Sequence, residues 1–178
     1  MNRHLVVVDM QRVFAEPASP WATPGFAAIV PTVAALVRAC APAVTFTRFV
    51  APAEPSGAWR TYYEQFPFAR QPPDASLWDV VPELAPTGPT VDAPTFSKWG
   101  PELAARLGDA TLLLAGVSTD CCVLSTAVAA ADAGVPVQVV ADACAGVDEA
   151  SHRAALQVLG LYAPLVEVVG SADLLRAA

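Results

Sequence analysis

Six short apolar runs alternate with segments of helical spacing along this chain, and that alternation restricts the fold more than any other feature. His4 to Val8 is a nearly continuous apolar run ending at Asp9, the pattern of a strand buried on both faces. Ala43–Phe49, Thr90–Ala93, Thr111–Ala115, Val135–Ala141 and Leu165–Val169 repeat it. Between them the spacing predicts helices over 24–41, 101–107, 119–133 and 148–161, with a short terminal helix after the last strand. The first carries apolar positions at Phe26, Ile29, Val33, Ala34 and Val37, and Pro31 fits it only within the first turn or at a kink. Gly134 supplies a C-cap. Strands that alternate with helices imply a parallel sheet with right-handed crossovers.

The intervening segment 50–89 breaks the rhythm. It holds Pro52, Pro55, Pro67, Pro72, Pro73, Pro82, Pro86 and Pro89 among aromatic residues, too long for a simple connection. A lid or pocket wall with short helices is the expectation. Within it Trp59, Tyr62, Tyr63, Phe66 and Phe68 either wall an aromatic pocket or pack the loop onto the body.

Composition removes several classes of function. A net charge of −7 with no Lys/Arg cluster argues against nucleic-acid binding. No apolar run reaches the length of a membrane span. No GxGxxG or GxxxxGK[ST] pattern opens a helix, so dinucleotides and nucleoside triphosphates are poor candidates. Cys40, Cys121, Cys122 and Cys144 have no disulfide-framework spacing, and the N-terminus shows no signal-peptide core. Both point to a reducing, cytoplasmic setting.

The chemistry concentrates at Gly116-Val-Ser-Thr-Asp-Cys-Cys-Val123. An apolar run leads in and an Ala-rich helical segment leads out, so a strand ends at Gly116 and a helix starts just after it, with Thr119 or Asp120 as the N-cap. Cys122 then falls in the first helical turn, where free N–H groups and the helix dipole favour a thiolate. Asp9, at the carboxyl end of the first strand, is placed to share a crevice with it, since such strand ends line ligand sites. Metal binding has little support: His4 opens a strand, His152 lies on a helix, and neither forms a ligand-spaced set with the cysteines. Asp142 and Cys144 follow the fifth strand and read best as a turn carboxylate and a packed thiol.

Three motifs, in order across nearly the whole chain, resemble the isochorismatase-like cysteine hydrolases, which include nicotinamidases, N-carbamoylsarcosine amidases and ureido amidohydrolases. They are Val7-Val-Asp-Met-Gln-x-x-Phe14, the octet at 116–123, and Val139-Val-Ala-Asp-Ala-Cys144 with His152 downstream. The resemblance implies an Asp–Lys–Cys triad in which Asp9 takes the proton from Cys122. It also implies a cis peptide before Ser118 and an oxyanion hole from the backbone N–H groups of Ser118 and Cys122. Phe14, Trp59 and Tyr62 are the expected substrate-binding side chains.

Two departures from the family pattern bear on function. Where metal-dependent nicotinamidases carry an Asp/His cluster, this chain reads Thr47-Arg-Phe-Val-Ala-Pro52, which argues against a metal and against nicotinamide. The family's lysine precedes a Ser-x-aromatic by four residues; Ser97-Lys98-Trp99 therefore puts Ala93 at the lysine position. Lys98 is the one lysine in the sequence and stands five residues too late. This register favours a missing lysine at 93 over Lys98 as its substitute.

The expectation is a three-layer α/β sandwich, one isochorismatase-like domain over 1–178, around a six-stranded parallel sheet of order 3-2-1-4-5-6. The expected activity is hydrolysis of a small amide or ureide through a Cys122 thioester, impaired by Ala93, with no cofactor, metal, nucleic-acid or membrane partner. Relatives imply a homo-oligomer, dimer or tetramer. The alternatives are an inactive binding or regulatory protein and an isochorismate-type vinyl-ether hydrolase.

Overall fold

The computed structural model describes residues 2–176. Strands β1 (Arg3–Val8), β2 (Val44–Phe49), β3 (Val91–Ala93), β4 (Thr111–Val117), β5 (Val137–Ala145) and β6 (Val166–Val169) form one sheet in the order β3-β2-β1-β4-β5-β6. Every pair within it is parallel, as the alternation predicts.

Side chains leave a strand to alternate faces, so a continuously apolar strand feeds two cores. Leu5 and Val7 of β1 enter one, with Leu113, Ala115 and Val117 of β4. Val6 and Val8 enter the other, with Leu112 and Leu114. The first core is covered by α1 (Arg12–Ala15), α2 (Phe26–Cys40), α3 (Ala58–Gln65) and α7 (Ser171–Arg176). The second is covered by α4 (Pro101–Leu107), α5 (Leu124–Asp132) and α6 (Glu149–Gly160). That is a three-layer sandwich.

Helix ends follow their local chemistry. Asp148 caps α6 by accepting from the Ser151 amide at 2.7 Å. After α5, Gly134 at φ +84° lets its own amide and that of Val135 return to the carbonyls of Ala131 and Ala130. Pro31 sits inside α2, at the sixth position and not in the first turn.

The boundaries around the octet need correction. β4 does not stop at Gly116 but runs on to Val117. The next helix opens as a single π-helical turn, Thr119–Val123, before α5, and Ser118, not Thr119 or Asp120, is its N-cap. A π turn adds one residue to the ring closed by each bond, a distortion that often accompanies a site. Here the amides of Cys121 and Val123 both donate to the Ser118 carbonyl, each at 3.1 Å. β5 also runs longer than the sequence suggests. Between Leu114 and Gly116 of β4 its register jumps from Val139 to Cys144, so the extra residues bulge outward. Asp142, expected in a turn after the strand, lies within β5 instead, where it accepts from the Ser171 amide at 2.8 Å and ties α7 to the sheet.

The 50–89 segment holds α3 and three single 3₁₀ turns, at Pro67–Ala69, Ser76–Trp78 and Pro82–Leu84. Gln11 fastens it down: its amide nitrogen donates to the carbonyls of Phe49 and Trp78, and its oxygen accepts from the Phe49 amide. No helix among the described residues is long and apolar enough to cross a membrane.

Candidate active site

β1 ends at the middle of the sheet, and the next residue, Asp9, adopts φ +49° and is completely buried. A carboxylate in such a place needs partners. Thr47 of β2 supplies one: its hydroxyl donates to Asp9 Oδ1 at 2.8 Å, and it also accepts from the Asp9 backbone amide at 3.3 Å. The other oxygen, Oδ2, faces the Lys98 ammonium at 3.0 Å, with both side chains wholly out of solvent.

Lys98 therefore occupies the place expected of residue 93, and the expectation of a missing lysine is corrected. Ala93 ends β3 at the sheet edge, paired with Phe49 of β2 and two strands away from β1, which Asp9 follows. The chain then turns through Pro94–Ser97 and comes back over the site. The Lys98 amide donates to Thr126 Oγ1 on α5 at 2.9 Å, and its ammonium donates to the Thr95 carbonyl at 2.7 Å. That ammonium also lies 4.7 Å from the Phe49 ring centroid, a cation–π contact. With its backbone anchored on α5, the four-carbon stem spans the remaining distance to Asp9.

Thr126 joins the lysine to the thiol. Its hydroxyl donates to the Cys122 carbonyl at 2.6 Å while accepting from Lys98. Cys122 is 4% exposed, and burial pushes its thiol well above the ordinary range. The Asp9 charge pushes the same way, and the Lys98 charge opposes it. The helix terminus favours the thiolate, while burial and the Asp9 charge act against it and hold the thiol up. Apart from its ion pair with Lys98, Asp9 Oδ2 has no hydrogen-bond partner among the described residues.

Cys121 differs. Its thiol is pushed up to about 11 by burial and by Asp120, with Sγ 3.6 Å from Asp120 Oδ2, and it has neither Asp9 nor Lys98 beside it. Of the adjacent pair, only Cys122 meets the acid–base apparatus.

The turn itself is braced from behind. Asp120 Oδ1 accepts from the Ser118 hydroxyl at 2.6 Å and from the Val147 amide at 2.9 Å, and Thr119 Oγ1 shares a 2.9 Å hydrogen bond with His152 Nδ1. The Val117–Ser118 peptide is cis, as the resemblance implies. Neither the Ser118 nor the Cys122 amide donates to a loop, cap or side-chain acceptor among the described residues. Gly116, at φ +121°, explains how β4 passes so close to β1: a Cβ there would stand 2.1 Å from the Val8 carbonyl oxygen.

Above the thiol lies a cavity of about 460 Å³. Phe14 and Tyr62 line it, together with Trp21, Phe49, Phe66 and Phe96. Trp59 does not. It packs behind the wall, 5.2 Å from the rings of both Tyr62 and Phe96. Tyr63 is fully buried. Trp21, which sequence reasoning missed, is the hub, within 5.0–6.1 Å of Phe14, Phe49, Tyr62, Phe66 and Phe68. It lies in the Pro-rich loop before α2, where no periodicity marks it. A larger hollow of about 750 Å³ beside Arg12, Arg48 and Asp79 contains none of the residues of this centre.

A buried carboxylate–ammonium pair beneath a thiol, at the carboxyl ends of central parallel strands, defines the class of site. Residues 3–173 match the family model of the isochorismatase domain, and the chain belongs to the isochorismatase family of hydrolases. Among solved structures, a cysteine hydrolase from Pseudomonas syringae pv. phaseolicola 1448A is 24% identical, with a TM-score of 0.84 over 98% of this chain and 91% of that one. The N-carbamoylsarcosine amidase of Thermoplasma acidophilum is 21% identical, with a TM-score of 0.75 over 96% and 97%. The pyrazinamidase of Pyrococcus horikoshii, in complex with zinc, is 23% identical, with a TM-score of 0.76 over 96% and 99%. At these identities the likeness is one of fold. No curated protein matches the chain in sequence.

Zinc in that last structure raises the question of a metal here. Among the described residues no three His, Cys, Asp or Glu side chains are grouped to hold one. Thr47 is bonded to Asp9, and Arg48 is committed to Asp92 with its Nε 2.9 Å from Oδ1. The residues present do not fit a metal centre.

Proposed function

We propose that this chain hydrolyses a small amide or ureide through a thioester on Cys122. The observation that carries the reading is the fully buried Lys98–Asp9 pair at 3.0 Å, adjoining a thiol that opens on the aromatic cavity. Asp9 Oδ2 takes the thiol proton as sulfur attacks the carbonyl carbon, so that no free thiolate need accumulate. Lys98 stabilises the carboxylate before transfer. The carbonyl oxygen becomes an oxyanion held by the Ser118 and Cys122 amides. The C–N bond then breaks and Asp9 returns the proton to the departing nitrogen. Water attacks the thioester, Asp9 takes its proton, and sulfur recovers it as the acid leaves.

With Lys98 beside Asp9, Ala93 supplies no reason to expect impaired turnover or a purely binding role. The four free thiols support a reducing, cytoplasmic setting. Exposed Leu161, Leu165 and Val168 support self-association. A panel of small amides and ureides, assayed for release of ammonia or amine, tests the activity. The wild-type chain should turn over at least one member and Cys122→Ala none. Acid quenching should trap the acyl group on the peptide containing Cys122. Equal turnover by Cys122→Ala would reject the mechanism.

A further inference from the structure

The loop that carries Lys98 has few directional ties to the rest of the molecule. Residues 94–99 lie between β3 and α4, and none of them enters a backbone–backbone hydrogen bond among the described residues. Thr95 and Ser97 bond within the loop: Thr95 Oγ1 donates to the Ser97 carbonyl at 2.9 Å, and Ser97 Oγ accepts from the Trp99 amide at 3.2 Å. The Phe96 ring packs on Phe49, Trp59 and Tyr62, a contact that holds the loop down without fixing its direction. One bond fastens the loop's backbone to the body. The Lys98 amide donates to Thr126 Oγ1 at 2.9 Å.

Thr126 is fully buried on α5, and the same hydroxyl donates to the Cys122 carbonyl, four residues earlier, at 2.6 Å. A helical threonine that reaches back to such a carbonyl is a common local arrangement and by itself says nothing about function. The second bond on the same oxygen, from a segment 28 residues away, is not local. A hydroxyl has one proton and two lone pairs, so donation to Cys122 commits the proton and leaves a lone pair for Lys98. Branching at Cβ stiffens χ1, so both partners are held from one firm point.

Resting on the cysteine-hydrolase reading above, we propose that Thr126 is a positioning residue for the reaction: its hydroxyl, bonded to the backbone of both Lys98 and Cys122, sets where the ammonium stands relative to Asp9 and the nucleophile. Thr126 touches no reacting atom. Its effect passes through Lys98, whose Nζ lies 3.0 Å from Asp9 Oδ2. That ammonium also donates to the Thr95 carbonyl at 2.7 Å, and this acceptor belongs to the same loop. A loop released from Thr126 therefore carries the ammonium and its second partner away together, and the pair with Asp9 loosens.

The test uses Thr126→Val, which removes the hydroxyl, Thr126→Ala as a smaller variant without it, and Thr126→Ser, which keeps it, each in the full chain. On an amide that the wild-type chain turns over, loss of the hydroxyl should lower kcat by about 10- to 100-fold with little change in KM. Thr126→Ser should recover most of that loss. The second readout, the pH profile of Cys122 alkylation by iodoacetamide, needs no substrate. Asp9, Lys98 and Cys121 are the charged or titratable groups that bear on this thiol, and of these Lys98 alone draws it down. Thr126→Val and Thr126→Ala should therefore move the profile to higher pH, in the direction of Lys98→Met, and should move it no further when added to Lys98→Met. An unmoved profile, or an equal displacement with and without Lys98, overturns the proposal, because the hydroxyl would then act on Cys122 through its carbonyl or not at all. Undiminished kcat in both hydroxyl-free variants also overturns it. If the wild-type chain hydrolyses no amide while the profile depends on Lys98 as described, the hydrolase reading fails and the placement of Lys98 by Thr126 stands.

Discussion

Lys98 Nζ stands 3.0 Å from Asp9 Oδ2, and neither side chain touches solvent. A buried pair of this kind is weak evidence of stability but strong evidence of interdependence, because removing one partner strands the other. Lys98→Met should therefore lower hydrolysis by about 10²–10⁴ and cost about 3–5 kcal/mol of stability. Adding Asp9→Asn should restore much of the stability, as read by denaturant unfolding, and none of the activity. Ala93→Lys should improve nothing. A fully active Lys98→Met protein would end the triad assignment.

The same charges set the pH at which Cys122 reacts. Burial first, and Asp9 second, hold its thiol up, while Lys98 pulls it down. Asp9→Asn removes a raising influence, so the alkylation-rate profile with iodoacetamide should move to lower pH even as hydrolysis disappears. Lys98→Met should move it the other way. Mass-mapped alkylation across pH 7–11, a span chosen about the ordinary thiol value, reads both shifts. A base that merely lowered the thiol pKa would give the opposite displacement for Asp9→Asn.

Alkaline conditions should weaken the fold through thiols other than Cys122. Cys144 is held up to about 12 by burial, and Cys121 to about 11, against an ordinary value of 9.0. Above about pH 9 the unfolded chain loses these protons while the folded chain keeps them, so the unfolded state binds fewer protons and stability falls as pH rises. The contribution is complete below pH 9 and lost through 11–12. Cys144→Ala should flatten the decline of Tm over that window, whatever it does to the neutral-pH value.

Behind the nucleophile turn, Asp120 holds both the Ser118 hydroxyl and the Val147 amide. Asp120→Ala should cost about 1–3 kcal/mol by leaving these donors unmet. It should lower kcat more than it raises KM, since it disturbs the oxyanion donor and not the aromatic wall. Gly116→Ala should be worse for folding. Its methyl would press on the Val8 carbonyl from a backbone angle that side chains resist, at a cost of about 3 kcal/mol. Thermal denaturation should rank the two in that order.

Much of this site was legible because it lies on regular structure. Asp9 and Cys122 each follow a central strand, and the apolar runs locate the ends of β1 and β4 within two residues. Lys98 was not legible by the same rule. Counting from a strand end assumes that the side chain leaves from the strand, whereas Lys98 hangs from a loop whose position is set by Thr126, 28 residues later. Only the tertiary bond reveals it, although the presence of one lysine in the whole chain was a usable signal. Trp21 and Phe96 escaped for a related reason, since loop residues have no period to betray which way they point. Position in a helix is readable from sequence, but the depth at which Cys122 is buried is not.

The wall and the floor of the cavity have separate structural origins. Asp9 and Ser118 directly follow β1 and β4, and Cys122 lies one turn on, all fixed by packing on both sides of the sheet. Trp21, Tyr62, Phe66 and Phe96 come from surface connections that no strand pairing constrains. Mutations in those connections can accumulate without disturbing the register that aligns base and nucleophile. Descendants of such a chain would diversify in diet before they diversified in chemistry, and a graft of the 50–89 segment between relatives is the shortest laboratory route to the same outcome.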